Sequence, residues 1–357
     1  MGGDWISMSI AVYLTCYDYR LGEVPAPKST VYYNIARFVR RGFALHLKWL
    51  KPLDIRMLVG FKRDKELARK LISVETDTDK LRELGVPSPR LLHGIIVHTG
   101  GRVYFVYYLP RGLWPEDTSF FEEWWEAWQV PAMNCLGKRT TDVGDMESLE
   151  ANLKILLNEP KVRVRSPGLV YLLLAVLDAN PLVTLRALSK VAEAVEARGL
   201  GEYEAALNMK YLTKYYRKLS RAKVLGRVYV LEQPKESYKL TVVAPRSCAR
   251  KLYGFVSATL TAPFLYVPAE NRGHVMAALV LAPREAEEML RLLYTVCPEA
   301  EVYPRLRGMV SVFPYELFDP LENRWKPEPT EGFLRILERM RLLVKQHQRE
   351  QLLGGQA

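Results

Sequence analysis

The residues best suited to chemistry lie in one basic segment, residues 209–227, with the sequence MKYLTKYYRKLSRAKVLGR. This segment holds seven lysine and arginine residues and no acidic residue, and tyrosines lie between the cations. Residues 151–235 carry eight of the chain's eleven net positive charges. A cationic surface with interspersed aromatic rings is typical of phosphate-binding proteins. The pattern predicts a nucleic-acid-binding surface formed by Lys210, Thr213, Lys214, Arg217, Lys218, Arg221, Lys223 and Arg227.

The cations of this segment recur at spacings of three and four residues, which places most of them on one face of a helix. Leu212, Tyr216 and Leu219 fall on the other face and are predicted to pack against a core. Such a helix fits the major groove of duplex DNA, which is about 12 Å wide. Asn208 and Thr213 would then contact base edges. The alternative is an ordinary basic helix face in contact with solvent.

Three helices and a strand are predicted around the basic segment. The first helix covers residues 167–178, with Ser166 as its cap. The second follows Thr184 and ends at Gly199, the third runs through the basic segment, and residues 227–232 alternate like a strand. This order resembles the winged helix-turn-helix superfamily, on the residues KYLTKYYRKLSRAKVLGRVYVLE. The resemblance implies DNA binding by the third helix and the strand, and it supplies no catalytic residue.

A weak internal repeat organises the rest of the chain. Residues 55–74 and 277–296 each predict a strand that runs into a helix, and strands at 9–17 and 44–50 are assigned to the first copy. Both copies have the element order βαββαβ, which is the ferredoxin-like arrangement. The predicted fold class is α+β, with two ferredoxin-like modules flanking a winged helix, plus a C-terminal amphipathic helix. The predicted domains are a ferredoxin-like module at 1–130, a connector at 131–164, the winged helix at 165–234, a second module at 235–320, and a C-terminal helix and tail at 321–357.

Ferredoxin-like modules joined to a winged helix are similar to regulators of the Lrp/AsnC kind, in which such a module oligomerises and binds a small effector. Those regulators place one module after the DNA-binding domain, whereas this sequence is predicted to place one on each side. The resemblance implies a scaffold or sensor role without assigning a ligand residue. The C-terminal helix carries an apolar stripe that either packs on its own subunit or joins two copies, and the stripe consists of Phe333, Ile336, Leu337, Met340, Leu343 and Val344.

Composition predicts a cytoplasmic protein with free thiols. At 357 residues and 49% apolar residues, the chain can form two or three packed domains. Its N-terminal apolar run is short, alternates with polar residues and follows Asp4, which fits neither a signal peptide nor a membrane span. The cysteines lie far apart without a CxxC pair, which argues against a zinc finger and a disulfide framework. They are Cys16, Cys135, Cys248 and Cys297.

No arrangement of residues predicts catalysis, a metal or a cofactor. His93 and His98 are five residues apart on a predicted strand, so their side chains should point to opposite faces and cannot bind one metal together. The string LLAVLDANP resembles the LAGLIDADG motif of homing endonucleases, but Pro181 replaces the final glycine, and Asp178 is predicted to end a helix. Glycine-rich phosphate loops are absent from the sequence. The chain is therefore predicted not to be an enzyme.

The predicted function is a DNA-binding protein, either a transcriptional regulator or a chromosome-associated factor. Its predicted partner is duplex DNA, and homo-oligomers through the modules or the C-terminal helix are also predicted. One alternative is an RNA- or ribosome-binding factor, because exposed aromatics on ferredoxin-like sheets, such as Tyr104, Tyr107 and Tyr108, stack unpaired bases. The other is a nucleic-acid-processing enzyme of a mobile element, which metal-dependent cleavage would reveal.

Overall fold

A computed structural model of the chain describes residues 44–48, 50–74, 77–115, 117–131, 164–180, 183–222, 224–229, 237–257, 264–270, 272–310 and 313–354, together with 10, 26–27, 29–31, 33–34 and 37. These residues form two compact units. One unit draws on Met1–Lys48, Pro160–Val230 and Pro314–Ala357. The other draws on Trp49–Glu159 and Leu231–Phe313.

The described strands and α-helices are numbered in chain order. The strands are β1 Ala44–Lys48, β2 Ile55–Arg63, β3 Leu92–His98, β4 Arg102–Pro110, β5 Glu123–Pro131, β6 Leu225–Tyr229, β7 Tyr238–Pro245, β8 Phe264–Pro268, β9 His274–Leu281, β10 Glu301–Val310, β11 Phe318–Asp319 and β12 Arg324–Trp325. The helices are α1 Lys65–Ser73, α2 Thr78–Glu83, α3 Pro167–Ala179, α4 Leu185–Ala197, α5 Leu212–Arg221, α6 Ala249–Ser257, α7 Pro283–Val296 and α8 Glu331–Gly354.

The second unit is built around one closed antiparallel barrel of eight strands, in the order β10-β3-β4-β2-β5-β8-β9-β7. Strands β2 to β5 form one half and strands β7 to β10 the other. The halves meet at two seams, where β10 pairs with β3 and β5 pairs with β8. The predicted fold class of two separate four-stranded modules flanking a winged helix is therefore wrong. Each four-stranded module on its own would leave two edge strands unpaired. In the closed barrel, the four edge strands of the two halves pair with one another.

Contacts of β10 identify which face of the barrel the helices cover. Arg307 on β10 donates hydrogen bonds to the carbonyls of Leu71 and Ile72, at the end of α1. Side chains alternate between the two faces of a strand. The strand face that carries Arg307 contacts α1, so the opposite face lines the interior of the barrel. His93 on β3 and Tyr266 on β8 confirm this, because these strands lie on opposite sides of the barrel and their rings are 6.4 Å apart.

The predicted internal repeat matched elements that are not equivalent in the barrel. Strand β2 begins the first half, whereas β9 is the third strand of the second half. The predicted strand at 44–50 lies outside the barrel, because β1 pairs with β6. The predicted strand at 9–17 lies outside the described residues, except for helical residue 10. A strand followed by a helix occurs in both halves, and this local pattern does not specify its position in a sheet.

The first unit contains helices α3, α4, α5 and α8 and the strand pairs β1–β6 and β11–β12. The hydroxyl of Thr184 caps α4 by accepting from the amide of Ala187 at 3.2 Å, as predicted. Ser166 makes no side-chain cap on α3. Within the stripe of α8, Leu343 is half-buried and the other five members are buried, so the stripe packs within its own unit. Across the described ranges, no helix combines the length and the apolar character needed to cross a membrane.

A disulfide joins Cys248 and Cys297, with their Cα atoms 5.8 Å apart. Cys248 precedes α6 and Cys297 follows α7, so the bond ties the ends of two helices in the second half of the barrel. The expectation of free thiols is therefore wrong for this pair. The two cysteines are separated by 49 residues in sequence, and folding brings them together.

Candidate functional site

The predicted nucleic-acid-binding residues lie mainly on α5 and the short turn before it. Leu212, Tyr216 and Leu219 are buried, as predicted. The cations on the other face are exposed, and Nζ of Lys214 lies 5.4 Å from the ring of Tyr211. Five exposed cations and the half-buried Thr213 are placed on this surface, the cations being Lys210, Lys214, Arg217, Lys218 and Arg221. Lys223 lies outside the described residues, and only the backbone of Arg227 is described, paired with His46.

A different group of ionisable side chains meets at one end of the barrel interior, where β3 ends and β4 begins. His98 is the last residue of β3 and is fully buried. Its ring lies 5.5 Å from the ring of Tyr104 on β4 and 5.7 Å from the ring of Tyr303 on β10. We call this group the His98 cluster, and it consists of His98, Arg102, Tyr104, Glu301, Tyr303 and Arg305.

Hydrogen bonds hold one side of the His98 cluster in place. Arg102 donates from Nη1 to the hydroxyl of Tyr303 at 2.7 Å, and its guanidinium carbon lies 4.5 Å from the centre of that ring. The Tyr303 hydroxyl donates to Glu301, whose carboxylate is 3.9 Å from Arg102. Burial raises the pKa of Tyr104, so this hydroxyl stays protonated near neutral pH. Tyr104 is therefore uncharged, and the negative charge that balances Arg102 comes from Glu301.

His98 is neutral at physiological pH. Burial lowers the pKa of His98 to about 4, the Pro304 carbonyl opposes this shift, and the charges of Arg305 and Arg102 add to it. Neither ring nitrogen makes a hydrogen bond of normal geometry within the described part of the chain. A neutral imidazole has one nitrogen that donates and one that accepts. His98 is therefore equipped to exchange a proton with a group placed beside it.

Arg305 is the second cation of the His98 cluster. It pairs with His98 in the register of β10 with β3, and its side chain is half-buried. Burial lowers the pKa of Arg305. Among the residues that the structure describes, no carboxylate lies within ion-pair distance of Arg305, since Glu301 pairs with Arg102. The cluster therefore carries one positive charge in excess.

Two further buried residues place polar atoms without hydrogen-bond partners inside the barrel. Thr241 on β7 pairs with Tyr303 on β10, and its side chain is 1% exposed. Trp125 on β5 pairs with Val59 on β2, is 4% exposed, and its ring lies 5.7 Å from that of His274. Neither the Thr241 hydroxyl nor the Trp125 indole N–H is hydrogen-bonded within the described ranges. Each such group lowers the free energy of unfolding by about 1–3 kcal/mol unless water or a ligand forms a hydrogen bond with it.

His93 also lies inside the barrel, which contradicts the expectation that it and His98 point to opposite faces. The register of β3 with β4 shifts between Leu92 and Gly94, so His93 is the extra residue of a β-bulge. Its ring lies 4.4 Å from that of Tyr108 in the interior. In the described portions of the chain, no group of three histidine, cysteine, aspartate or glutamate residues could hold a metal ion.

The tyrosines proposed for base stacking are not available on the surface. Tyr104, Tyr107 and Tyr108 are 4%, 0% and 5% exposed. Closure of the barrel buries Tyr104 and Tyr108 in the interior, and Tyr107 packs on the opposite face against Phe121, with ring centres 5.9 Å apart. The expectation of an exposed aromatic sheet is therefore wrong.

Sequence reasoning named His93, His98 and Tyr104 for other roles and did not bring together the members of the His98 cluster. These come from strands far apart in sequence, and only the pairing of β10 with β3 and of β3 with β4 joins them. The alternation in YPR at 303–305 is a signal that could have indicated two polar side chains on one strand face, but the irregularity between Arg305 and Arg307 ends that alternation.

Comparison with known proteins returned no matching family model and no matching curated protein. Two solved structures are similar to the chain. One is titled "Crystal structure of the siroheme decarboxylase NirDL", with 12% identity, a TM-score of 0.42, and coverage of 94% of this chain and 96% of that chain. The other is the same decarboxylase in co-complex with an iron-uroporphyrin III analogue, with 10% identity, a TM-score of 0.43, and coverage of 94% and 98%. A likeness this remote assigns no activity and no residue role to this chain.

These findings contradict several predictions. Both similar solved structures are described as an enzyme, one with a bound small molecule, and neither as a DNA-binding regulator, which runs against the predicted function, the nucleic-acid partner and the non-enzyme prediction. The basic residues misled the prediction because charge on an exposed helix is visible in sequence, whereas a buried site assembled from distant strands is not. The resemblance to winged helix and Lrp/AsnC proteins is tested by none of these findings and stays a prediction.

Proposed function

We propose that this chain is an enzyme that binds a small organic molecule inside the barrel, at the end that contains the His98 cluster. In this proposal His98 exchanges a proton with the bound molecule. The observation that carries it is the set of buried polar atoms without a hydrogen bond of normal geometry, on His98, Thr241 and Trp125, around one interior. Ligand sites are concave and mainly apolar, with few polar groups and perturbed pKa values.

The chemistry of the site supports proton transfer better than metal or nucleophilic chemistry. A neutral, buried histidine beside two arginines holds its acceptor nitrogen free of a proton at neutral pH. Tyr104 keeps its proton and is a candidate donor from the adjacent strand. General acid–base catalysis by such side chains contributes roughly 10²–10⁴-fold to a rate.

Ligand binding is tested with Thr241→Val, which replaces the hydroxyl by a methyl group of similar shape. A ligand panel of mono- and polycarboxylates, amides, sugars and iron-uroporphyrin III would be screened by calorimetry. We expect the variant to be as stable as wild type or more so, because an unpaired buried hydroxyl is removed, but to bind its ligand more weakly. The matched control is Thr295→Val, whose hydroxyl bonds the Arg291 carbonyl on α7 outside the barrel.

Catalysis is tested with His98→Gln on any ligand that the panel identifies as a substrate. We expect binding to be kept within a few-fold and turnover to fall by roughly 10²–10⁴. Unchanged turnover in this variant would refute the role of His98. Binding that Thr241→Val and Thr295→Val leave equally unaffected would refute the interior as the site.

A cytoplasmic location is the second part of this proposal, and composition supports it. A disulfide is uncommon in that compartment except in heat-adapted organisms. Cell fractionation followed by immunoblotting would test it, since the protein should be recovered in the cytoplasmic fraction, and recovery in another fraction would contradict it.

A further inference from the structure

We propose that the ligand is an organic anion and that its acidic group binds the guanidinium of Arg305. This inference rests on the proposed function, because it concerns the same interior site. It adds the chemical class of the ligand and the residue that selects it.

The first support is the balance of charge around Arg305. A half-buried cation loses hydration, and this cost is offset only when an anion or several acceptors approach it. Glu301 is bound to Arg102 and Tyr303, so it is not available to Arg305. His98 is uncharged and offers no compensating negative charge. An anionic ligand would supply the charge that the described residues do not.

The second support is the space that Gly308 leaves beside Arg305. A Cβ atom at position 308 would lie 3.2 Å from Cδ and 3.3 Å from Nη1 of Arg305. Gly308 pairs with Ile96 on β3, two residues from His98. The guanidinium therefore lies across the glycine and stays next to the histidine. A Cβ atom at 308 would require the Arg305 side chain to shift by a few tenths of an ångström while keeping its charge.

The third support is the geometry of the guanidinium itself. Arginine presents N–H groups in a planar fork that fits a carboxylate with two parallel hydrogen bonds. Arg102 has committed part of its fork to Tyr303, whereas no hydrogen bond of the Arg305 fork occurs within the described ranges. Arg305 is thus the arginine of the cluster that is able to accept an acidic group.

The experiment compares carboxylates with amides of the same shape. The probes are benzoate against benzamide and isophthalate against isophthalamide, with binding measured by ligand-observed NMR and competition. We expect wild type to bind each carboxylate at least tenfold more tightly than its amide. Arg305→Gln should weaken carboxylate binding by roughly 10- to 100-fold and leave amide binding within about twofold.

Three further proteins complete the design. Arg291→Gln is the matched control, because this exposed arginine of α7 pairs with Glu287 on the barrel exterior and should not affect either probe. Gly308→Ala keeps the Arg305 charge but shifts the side chain by a few tenths of an ångström, and should lower the carboxylate preference less than Arg305→Gln does. Arg305→Lys covers the case in which Arg305→Gln does not fold, and should retain a preference of a few-fold.

Equal binding of carboxylates and amides by wild type would overturn the inference, as would a preference that Arg305→Gln leaves intact. Failure of every carboxylate probe would also overturn it. None of these results affects the proposed function, which fails only if no ligand depends on Thr241 or His98.

Discussion

Lowering the pH should destabilise the barrel through His98. The pKa of this residue is lowered from 6.5 to about 4 in the folded protein. The unfolded chain therefore takes up a proton near pH 6.5, and the folded chain does so only near pH 4. The stability that the neutral ring provides is fully present above pH 6.5 and is lost as the pH falls from 6.5 towards 4.

The size of this effect follows from the shift. One pH unit of difference corresponds to about 1.4 kcal/mol, so the full shift is worth about 3 kcal/mol, and roughly 2–3 kcal/mol should be lost by pH 4.5. Urea denaturation of wild type and His98→Gln at pH 7 and pH 4.5 measures the difference. The variant lacks the titrating ring, so its loss of stability between these pH values should be smaller by that amount.

Proton NMR of the histidine ring provides the direct test. The chain has five histidines, and the signal that disappears in His98→Gln identifies this one. We expect it to titrate near pH 4 in wild type and at higher pH in Arg305→Gln, because the Arg305 charge disfavours a second positive charge. A His98 signal that titrates near pH 6.5 would refute the buried, neutral histidine and the proton-transfer role built on it.

Reduction of the Cys248–Cys297 disulfide, or Cys248→Ala with Cys297→Ala, should cost about 4 kcal/mol in urea denaturation, from the entropy of a 49-residue loop; an unchanged midpoint would contradict this. Gly273→Ala should lower the free energy of unfolding by about 2–4 kcal/mol beyond the backbone strain, because its Cβ would lie 2.2 Å from an interior tryptophan. Gly112→Ala is also at positive φ but in open space, so it measures the backbone strain by itself. Asp319→Asn should cost about 1–3 kcal/mol at pH 7. Burial opposes ionisation of Asp319, but hydrogen bonds outweigh it and lower the pKa, so this deficit should vanish as the pH falls below about 3.8.

Local elements could be predicted from the sequence because their patterns are local. Alternating residues at 238–244 and 274–282 correspond to β7 and β9, and the helical period after Arg284 corresponds to α7. Thr184 also caps α4 as predicted. These predictions succeeded because side-chain period and capping depend on neighbours in the chain.

The closure of the barrel could not be predicted in the same way. Pairing of β5 with β8 joins residues more than a hundred positions apart, and edge strands carry no local mark of their partner. The bulge at His93 reversed the predicted direction of one side chain for the same reason, since it depends on the register with β4. The disulfide between Cys248 and Cys297 likewise depends on how α6 and α7 are placed.

The candidate site was missed because its members are scattered along the sequence and form no recognisable motif. A single arginine such as Arg305 gives no distinct signal in a sequence that also contains a segment with seven lysine and arginine residues. Its significance comes from its partial burial and from the lack of a carboxylate within ion-pair distance among the described residues, and both are properties of the folded chain. Exposed charge was therefore overweighted in the sequence reading, and buried charge was not detected.

The two seams of the barrel differ in chemistry, and this sets the number of sites. At the seam of β10 with β3, Arg305 lies opposite His98. At the seam of β5 with β8, Ala127 lies opposite Pro268 and Trp128 opposite Val267. A barrel made from two identical halves would repeat every site by symmetry, whereas the two seams of this barrel carry different residues. Under the proposed function, one molecule should therefore saturate with one ligand.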